Sequence, residues 1–280
     1  MFQPVTKTLS FGDHSIVLEQ TSSDIHFPST VGLNFANTLY TLYLNSQNDT
    51  SLDHLIPANQ LNFNSVLDVG CGIGHLSLLA ASLFPNISKV FAMDLLEDSV
   101  AHLKNNWGVY QSKSGSTQEL ITQIGDLNEI FDKVDDTNRM DCDLVLCNPA
   151  NVDASCGIED PFFVTEQNGR YMLDSMLKHC ANKDAILKSG GYIFTTDTSL
   201  IGFNETNQLL IDLYGSENSN WWVVDSIEMD VPFLNLVNAN SSFEVNPEWK
   251  KSMLESKRLL VRETNGNYYQ SRRYLLIKKG

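Results

Sequence analysis

One ten-residue stretch, Val66–His75, has residue types and a spacing that are typical of a ligand-binding turn. An apolar run contains Asp68, and glycine then occupies every second position, at Gly70, Gly72 and Gly74. Glycine adopts backbone conformations that other residues avoid and leaves the main chain open to close approach. The pattern predicts a strand, a tight turn and a helix, with a nucleotide-like ligand against the turn. A dinucleotide site would have glycine in place of His75, so NAD is the weaker candidate.

Polar residues also follow the next three apolar runs of the chain. Asp94 ends the second run, Asp126 comes two residues after the third, and Asn148 follows the fourth directly. In an open parallel sheet, ligands bind beyond the carboxyl ends of the strands, so we expect these side chains to converge near Asp68. Each one alone is ordinary turn chemistry. Together they line a site that suits a cationic ligand and fits a pyrophosphate poorly.

The elements that must position these side chains alternate from Asn64 onward, which indicates a doubly wound sheet. The predicted strands are Ser65–Val69, Lys89–Met93, Leu120–Ile124, Asp143–Cys147, Tyr192–Thr196 and Trp221–Met229. The predicted helices are His75–Leu83, Leu96–Trp107, Gly169–Leu187 (ended by Gly190-Gly191) and Asn204–Tyr214. A hairpin around Asn265-Gly266 closes the chain. We expect an α/β fold with a mostly parallel, seven-stranded, Rossmann-like sheet and an antiparallel C-terminal edge.

Residues 1–60 form a predicted N-terminal extension, and residues 61–280 form the domain that carries the glycine turn. Alternation over Lys7–Glu19 predicts either a strand or a short hairpin with its turn at Gly12-Asp13. Ser29 or Thr30 is expected to cap a helix that runs to about Tyr43. A short helix is predicted over Leu52–Ala58. We expect this extension to cover the cofactor or the substrate.

Composition and charge restrict the class of protein. The chain has 280 residues, 42% of them hydrophobic, and a formal net charge of -15. Its five cysteines include no Cys-x-x-Cys pair, which favours reduced thiols, a cytoplasmic location and no metal site. Residues 250–280 contain nine basic and two acidic residues, a formal charge of +7. That segment is either a solvated face or a docking patch for an acidic partner.

The order of the glycine turn, Asp94, Asp126 and Asn148-Pro149 resembles the class I S-adenosylmethionine (SAM) methyltransferases of the small-domain group. That group includes the HemK-type protein-glutamine N5-methyltransferases and the guanine-N2 ribosomal RNA enzymes. Two further segments, 24–30 and 168–191, are similar to segments of these families. The resemblance implies SAM as the cofactor and methyl transfer as the reaction.

The resemblance also implies roles for single residues. Asp94 would accept hydrogen bonds from the ribose hydroxyls, Asp126 would accept one from the adenine amino group, and Asp68 would order the loop and the ammonium end. The glycines of the turn would let the backbone approach the methionine portion of SAM. Asn148 and Pro149 would form the catalytic motif, in which Asn148 orients the acceptor nitrogen. Asn148 is therefore expected at both the cofactor and the acceptor.

This chain departs from the family at the acceptor site. The family's Asn-Pro-Pro-Tyr (or Phe) motif is replaced by Asn148-Pro149-Ala150-Asn151, so the aromatic residue that packs on the acceptor is missing. Phe162, Phe163 or Tyr171 would have to supply that surface. The residues expected to contact the substrate are therefore Ala150, Asn151, Phe162, Phe163 and Tyr171. The connection 151–167 is either a substrate lid or an ordinary surface loop.

We interpret the chain as a SAM-dependent N-methyltransferase that acts on an amine or amide nitrogen of a protein side chain or a small molecule. The negative charge outside residues 250–280 makes this acceptor the favoured one. Two alternatives stay open: an RNA base N-methyltransferase that docks RNA through its basic segment, and a SAM-binding protein without catalysis. No membrane partner is expected, and a homo-oligomer is left open.

Overall fold

The computed structural model describes residues 5–20, 28–47, 62–158, 164–231, 245–264 and 266–280. The chain begins with an antiparallel hairpin of strands β1 (Val5–Phe11) and β2 (His14–Gln20), followed by helix α1 (Thr30–Gln47). Gly12, at the turn of the hairpin, has a φ of 54°. The predicted hairpin and helix are both present. The helix predicted over Leu52–Ala58 lies outside the described residues.

Alternating strands and helices then follow the predicted order. They are β3 (Ser65–Val69), α2 (His75–Leu83), β4 (Lys89–Asp94), α3 (Glu97–Ser114), β5 (Glu119–Ile124), α4 (Leu127–Asp132) and β6 (Cys142–Cys147). All five residues of β3 are buried, as expected for a parallel strand that is covered on both faces. Helix α2 buries seven of its nine residues, because its sequence is apolar on every side.

The later part of the chain contains shorter elements between its longer strands. They are β7 (Val152–Asp153), β8 (Val164–Thr165), α5 (Glu166–Gly169), α6 (Tyr171–Asn182), β9 (Leu187–Thr198), α7 (Phe203–Tyr214), β10 (Trp221–Asp230), α8 (Pro247–Glu255), β11 (Leu260–Val261) and β12 (Tyr268–Lys278). Short 3-10 turns cover Ala154–Cys156 and Ser199–Ile201.

The large sheet has eight strands in the order β10-β12-β9-β6-β3-β4-β5, with β11 paired to β12. Strand β3 pairs in parallel with β4 and β6, and β4 pairs in parallel with β5. The two-residue strand β11 is antiparallel to β12. The predicted fold class is confirmed, with β11 as a strand beyond the seven expected.

Several predicted boundaries were wrong. Helix α3 continues to Ser114 and does not end at Trp107, and strand β9 begins before Tyr192. The helix expected to continue to Leu187 ends at Asn182, and β9 already begins at Leu187. Gly190-Gly191 therefore lies inside a strand, where Gly190 N–H donates to the carbonyl of Lys279 and Lys279 N–H donates to that of Gly191. The glycine pair was interpreted as the end of a helix. In the structure it pairs with a distant part of the chain, and a local sequence pattern cannot reveal such pairing.

The chain divides into two compact units. The first unit comprises residues 1–148, 179–194 and 277–280, and it contains the hairpin, the glycine turn and the four predicted strand-end residues. Within it, Asn106 of α3 joins the hairpin to the turn. Its Oδ1 accepts from the N–H of Glu19 at 2.7 Å, and its Nδ2 donates to the carbonyl of Ile73 at 2.9 Å.

The second unit comprises residues 149–178 and 195–276. Its apolar core is formed by Val152, Cys156, Ile158, Leu200, Val231, Trp249 and Leu259. Across the described part of both units, no helix is long and apolar enough to cross a membrane. The five cysteines are buried free thiols, and the cytoplasmic location stays a prediction.

Candidate functional site

The glycine turn is held against the end of the neighbouring strand. The N–H groups of Gly70 and Cys71 both donate to the carbonyl of Met93, at 2.9 and 3.0 Å. All three glycines have positive φ, at 71° for Gly70, 51° for Gly72 and 91° for Gly74. These are left-handed conformations that a side chain would strain. The backbone of the turn therefore favours glycine at each of these three positions.

Gly72 and Gly74 differ in what surrounds them. A Cβ built on Gly72 would meet no atom within 4 Å, whereas one on Gly74 would lie 2.2 Å from Cδ1 of the buried Leu103 in α3. Gly74 is thus needed so that α3 can pack closely on the turn. Gly72 faces open space, which is the room that a ligand against the turn requires.

Asp94 fixes this open part of the turn. Its Oδ2 accepts from the N–H of Gly72 at 2.9 Å, and its Oδ1 accepts from the N–H of Leu96 at 3.0 Å. Burial raises the pKa of the Asp94 carboxyl, and the two N–H donors partly oppose that shift. The carboxylate therefore lies beside Gly72 in a set orientation, with acceptor capacity left for hydroxyl donors.

Asp68 is fully buried below the turn. Its Oδ2 accepts from the N–H of Ser77 at 3.0 Å and from its hydroxyl at 2.6 Å, which ties strand β3 to the first turn of α2. Its Oδ1 has no hydrogen-bond partner in the described part of the chain. Burial raises the pKa of Asp68 to about 7. Its expected role in ordering the loop fits these contacts, while contact with an ammonium group stays a prediction.

Asp126 lies at the start of α4 and next to Asp94 along the sheet edge. Its Oδ1 accepts from the N–H of Asn128 at 2.9 Å and caps the helix. The preceding residue, Gly125, donates its N–H to the carbonyl of Asp94 at 3.1 Å. The ends of β4 and β5 therefore meet, as the strand order predicted, and Asp126 directly follows the residue that bonds to Asp94.

Asn148 follows strand β6 on the other side of β3. Cys147 pairs with Val69, so Asn148 and Gly70 follow paired residues of adjacent parallel strands. Asn148 is half-buried. The structure thus places Asp94, Asp126, Asn148 and the glycine turn at one edge of the sheet, within the first unit.

The remaining predicted residues belong to the second unit. Pro149 and Asn151 are buried, whereas Ala150 and Tyr171 are half-buried. Gly169 packs closely on the backbone of Asn151, since a Cβ on Gly169 would lie 2.9 Å from the Asn151 carbonyl oxygen. Phe162 and Phe163 lie outside the described residues. The lid predicted over residues 151–167 stays a prediction for the same reason.

Sequence reasoning missed the contact between His75 and Gly32. His75 is half-buried with its Nε2 shielded from solvent, and a Cβ on Gly32 would lie 3.0 Å from that atom. Burial lowers the pKa of His75 to about 4, so the ring is neutral at physiological pH. The contact joins helix α1 to the residue after the glycine turn. The sequence did contain a signal for this contact. Gly32 lies between apolar residues in a predicted helix, and a glycine at such a position indicates that another group packs closely on the helix.

The basic C-terminal segment does not form a uniform cationic face. Ion pairs with acidic side chains engage Lys251, Arg258, Arg262, Arg273 and Lys279. Arg272 is buried and donates to the hydroxyl of Thr196 at 2.7 Å. Lys250 and Lys278 lie over the rings of Tyr268 and Tyr192. Most of the positive charge in residues 250–280 therefore serves the fold.

Comparisons with known proteins identify the family of the chain. Residues 47–194 match the family model of the methyltransferase small domain. Ribosomal RNA large subunit methyltransferase G of Shewanella oneidensis is 35% identical over 94 residues, which are 32% of this chain and 22% of that protein. The match therefore spans about a fifth of the length of this relative.

Solved structures show the same fold. The T. thermophilus 16S rRNA N2 G1207 methyltransferase in complex with AdoMet and guanosine aligns with a TM-score of 0.51 and 14% identity, over 99% of this chain and 51% of that one. A Streptococcus mutans protein described as a SAM-dependent methyltransferase aligns with a TM-score of 0.53 and 12% identity, over 98% and 56%.

These relatives correct one expectation. The sequence favoured a protein side chain or a small molecule as the methyl acceptor over RNA, because most of the chain is acidic. The relatives found by sequence are named as ribosomal RNA methyltransferases. The preference was wrong, since net charge averages over the whole surface and says little about one binding face.

Proposed function

Because this chain belongs to the methyltransferase small-domain family, we propose that it methylates a nitrogen of an RNA base, with SAM as the methyl donor. The enzyme class and the cofactor are those of the family. The RNA acceptor is supported by the relatives, each named a ribosomal RNA methyltransferase. The observation that carries the proposal is the sheet edge at which Gly72, Asp94, Asp126 and Asn148 meet.

The residues at this edge fit SAM. The space above Gly72 is open, and the backbone there can be approached without obstruction by a Cβ. Asp94 lies beside that space and retains acceptor capacity for ribose hydroxyls. Asp68 and Asp94 add acidic character that suits a sulfonium and an ammonium group. A pyrophosphate would meet these carboxyl groups instead of the N–H donors that it requires.

Bound SAM supplies an electrophilic methyl group on a sulfonium. The chain's own contribution is positioning, since methyl transfer to an amine nitrogen needs little base catalysis. Asn148 follows β6 at the same edge as the turn, where its side-chain oxygen is suited to accept a hydrogen bond from the acceptor nitrogen. That bond would direct the nitrogen lone pair toward the methyl group.

Residues 1–60 are proposed as the cover of the cofactor site. Support comes from α1, whose Gly32 lies against His75 directly after the glycine turn. The neutral ring of His75 fits tightly there, so α1 approaches the residue that follows Gly74. Residues 61–280 then correspond to the methyltransferase domain proper.

Methyl transfer tests the proposal directly. The full chain is incubated with methyl-labelled SAM and unmodified large- and small-subunit ribosomal RNA transcribed in vitro. We expect label in the RNA and its loss in Asn148→Ala, with a melting temperature equal to that of the unsubstituted chain. Label in a protein fraction and none in RNA would refute the acceptor, and SAM binding without transfer to any acceptor would leave only a binding protein.

A further inference from the structure

The second unit contains a cavity that the methyl-transfer chemistry above does not use. Its volume is about 320 Å³, and it is lined by residues of the turn at 153–155, of α5, of α8 and of the turn after α8. The lining includes Asp153, Asn168, Glu248, Trp249, Ser252 and Arg258. This volume is at the lower end of the range for small-molecule sites, so it suits one base and excludes a duplex.

The apolar part of the cavity lining belongs to the core of the second unit, and we call it the floor of the cavity. Trp249 is 6% exposed and belongs to the core of the second unit together with Leu200, which also lines the cavity. Met253 packs against the same core. A flat aromatic side chain at such a floor offers a surface on which a base can stack.

The start of α8 is fixed to the opposite wall. Asn246 caps the helix, with its Oδ1 accepting from the N–H of Glu248 at 3.0 Å. Its own N–H donates to the carbonyl of Cys156 at 2.7 Å, and its Nδ2 donates to that of Ser155 at 3.1 Å. Because these bonds join both walls, the cavity is preformed and a ligand need not order it.

The polar groups of the wall suit the edge of a base better than a phosphate. Asp153 and Glu248 present carboxylate oxygens, which accept hydrogen bonds from ring N–H and amino groups. The N–H of Ser155 donates a hydrogen bond to Oδ1 of Asp153 at 2.9 Å. Oδ2 of Asp153 takes part in none of the described hydrogen bonds. Two carboxylates would repel a phosphate from the interior.

Arg258 lines the cavity, whereas two exposed lysines lie outside it, near the end of the same helix. Lys251 has a side chain that is 74% exposed, and Lys257 is exposed in the turn after α8. Arg258, by contrast, is held by Glu205 and by the carbonyl of Leu200. One nucleotide has a base, which donates hydrogen bonds, and a phosphate, which carries negative charge. The carboxylates of the cavity therefore suit the base, and the exposed lysines suit the phosphate.

We propose that this cavity binds one unstacked base of a single-stranded RNA segment, while Lys251 and Lys257 contact the adjoining phosphates. The base stacks on the Trp249 side of the cavity and donates hydrogen bonds to Asp153 and Glu248. This inference rests on the proposed RNA acceptor and assigns part of its binding to the second unit. RNA loops and ends offer such unstacked bases.

Fluorescence anisotropy with the full chain and a fluorescein-labelled, mixed-sequence RNA 12-mer tests the cavity. Ser252→Phe fills the cavity from an exposed position of α8, and Ser226→Phe adds the same ring at an exposed position of β10 that does not line the cavity. We expect Ser252→Phe to weaken RNA binding at least tenfold and Ser226→Phe to change it less than threefold. Both variants should retain the melting temperature and the S-adenosylhomocysteine affinity of the unsubstituted chain.

The salt dependence of the same binding tests the lysines. The double variant Lys251→Gln/Lys257→Gln should lower the slope of log K against log salt concentration by about 1.4, because each phosphate contact with single strands contributes about 0.7. The matched control is Lys104→Gln/Lys113→Gln, two exposed lysines of α3 in the first unit, which should leave the slope unchanged.

The outcomes separate this inference from the proposed function. If the chain methylates ribosomal RNA but Ser252→Phe and Ser226→Phe bind the 12-mer equally, the cavity is not an RNA site and the proposed function stands. Absence of 12-mer binding by the unsubstituted chain also overturns the inference. If labelled methyl groups enter a protein and no RNA, the proposed function itself fails, whatever the 12-mer shows.

Discussion

The glycine turn and the basic C-terminal segment both stand out in the sequence, but the structure treats them differently. The turn keeps the role that its pattern indicates, with positive φ at three glycines and Asp94 bonded to Gly72. The basic segment looks like a docking face in the sequence. In the fold, however, most of its charges engage partners, such as Asp197 for Arg273 and Asp184 for Lys279.

The difference lies in the range of the interactions. A turn is specified by residues a few positions apart, so its backbone geometry can be inferred from their types. The fate of a charge depends on which distant residue it meets after folding: Arg273 and Asp197 are 76 positions apart. A run of positive charge is therefore weak support for a nucleic-acid surface until its partners are known.

The largest expected effect concerns the buried pair in the basic segment. Arg273 donates through Nε to Oδ1 of the fully buried Asp197 at 3.0 Å, and burial still raises the pKa of that carboxyl. Arg273→Met should lower the free energy of unfolding by about 3–5 kcal/mol, since it removes the guanidinium that pairs with the buried Asp197. Urea unfolding measures this.

A matched arginine in the same segment provides the control. Arg262 pairs with Glu228 and Asp230 at the surface, so Arg262→Met should change stability little. A stable Arg273→Met that has lost RNA binding would instead restore the basic segment as a docking face.

A second variant distinguishes the two glycines of the turn. Gly74→Ala should cost about 2–4 kcal/mol, because it combines left-handed strain with the contact to buried Leu103. Gly72→Ala should cost about 1–2 kcal/mol, since only the strain applies where the space is open. Equal losses in thermal or urea unfolding would mean that α3 adjusts and that packing does not require Gly74.

The pH dependence of stability tests the buried acid below the turn. Because the folded pKa of Asp68 is about 7, well above its ordinary value of 3.8, the fold favours the protonated carboxyl. That contribution is present below about pH 4 and is lost as pH rises toward 7. Asp68→Asn lacks this titration. The free energy of unfolding of Asp68→Asn relative to that of the unsubstituted chain should therefore rise by roughly 2 kcal/mol as the pH increases from 5 to 7. A difference that stays constant with pH would show that Asp68 is already ionised at pH 5.

The smallest expected effect is the most specific for the ligand. Gly72→Ala should weaken S-adenosylhomocysteine binding at least tenfold in isothermal titration, because its Cβ enters the open space beside Asp94. Gly115→Ala is the control. Gly115 also has a positive φ, and a Cβ on it would meet no atom within 4 Å, but this glycine lies at the end of α3 and not in the turn. If both variants bind alike, backbone strain and not the cofactor explains Gly72.

Much of the fold could be predicted from the sequence, and so could the placement of the candidate site at one sheet edge. Helix α2 has the bounds predicted for it, and each strand from β3 to β6 was predicted to within one residue. Apolar runs and turn residues define such elements locally. The end of α6 was misjudged, because the pairing of Gly190 and Gly191 with Lys279 involves residues almost 90 positions away.

The sequence by itself determined the turn, the alternation of strands and helices, and the order of Asp68, Asp94, Asp126 and Asn148 along them. These follow from steric limits and apolar periodicity over short stretches. Only the tertiary structure decided that Gly74 packs on Leu103 while Gly72 faces open space. It also decided which basic residues are buried and where a cavity forms beside α8. Those outcomes depend on burial and on contacts between distant residues, for which no short pattern exists.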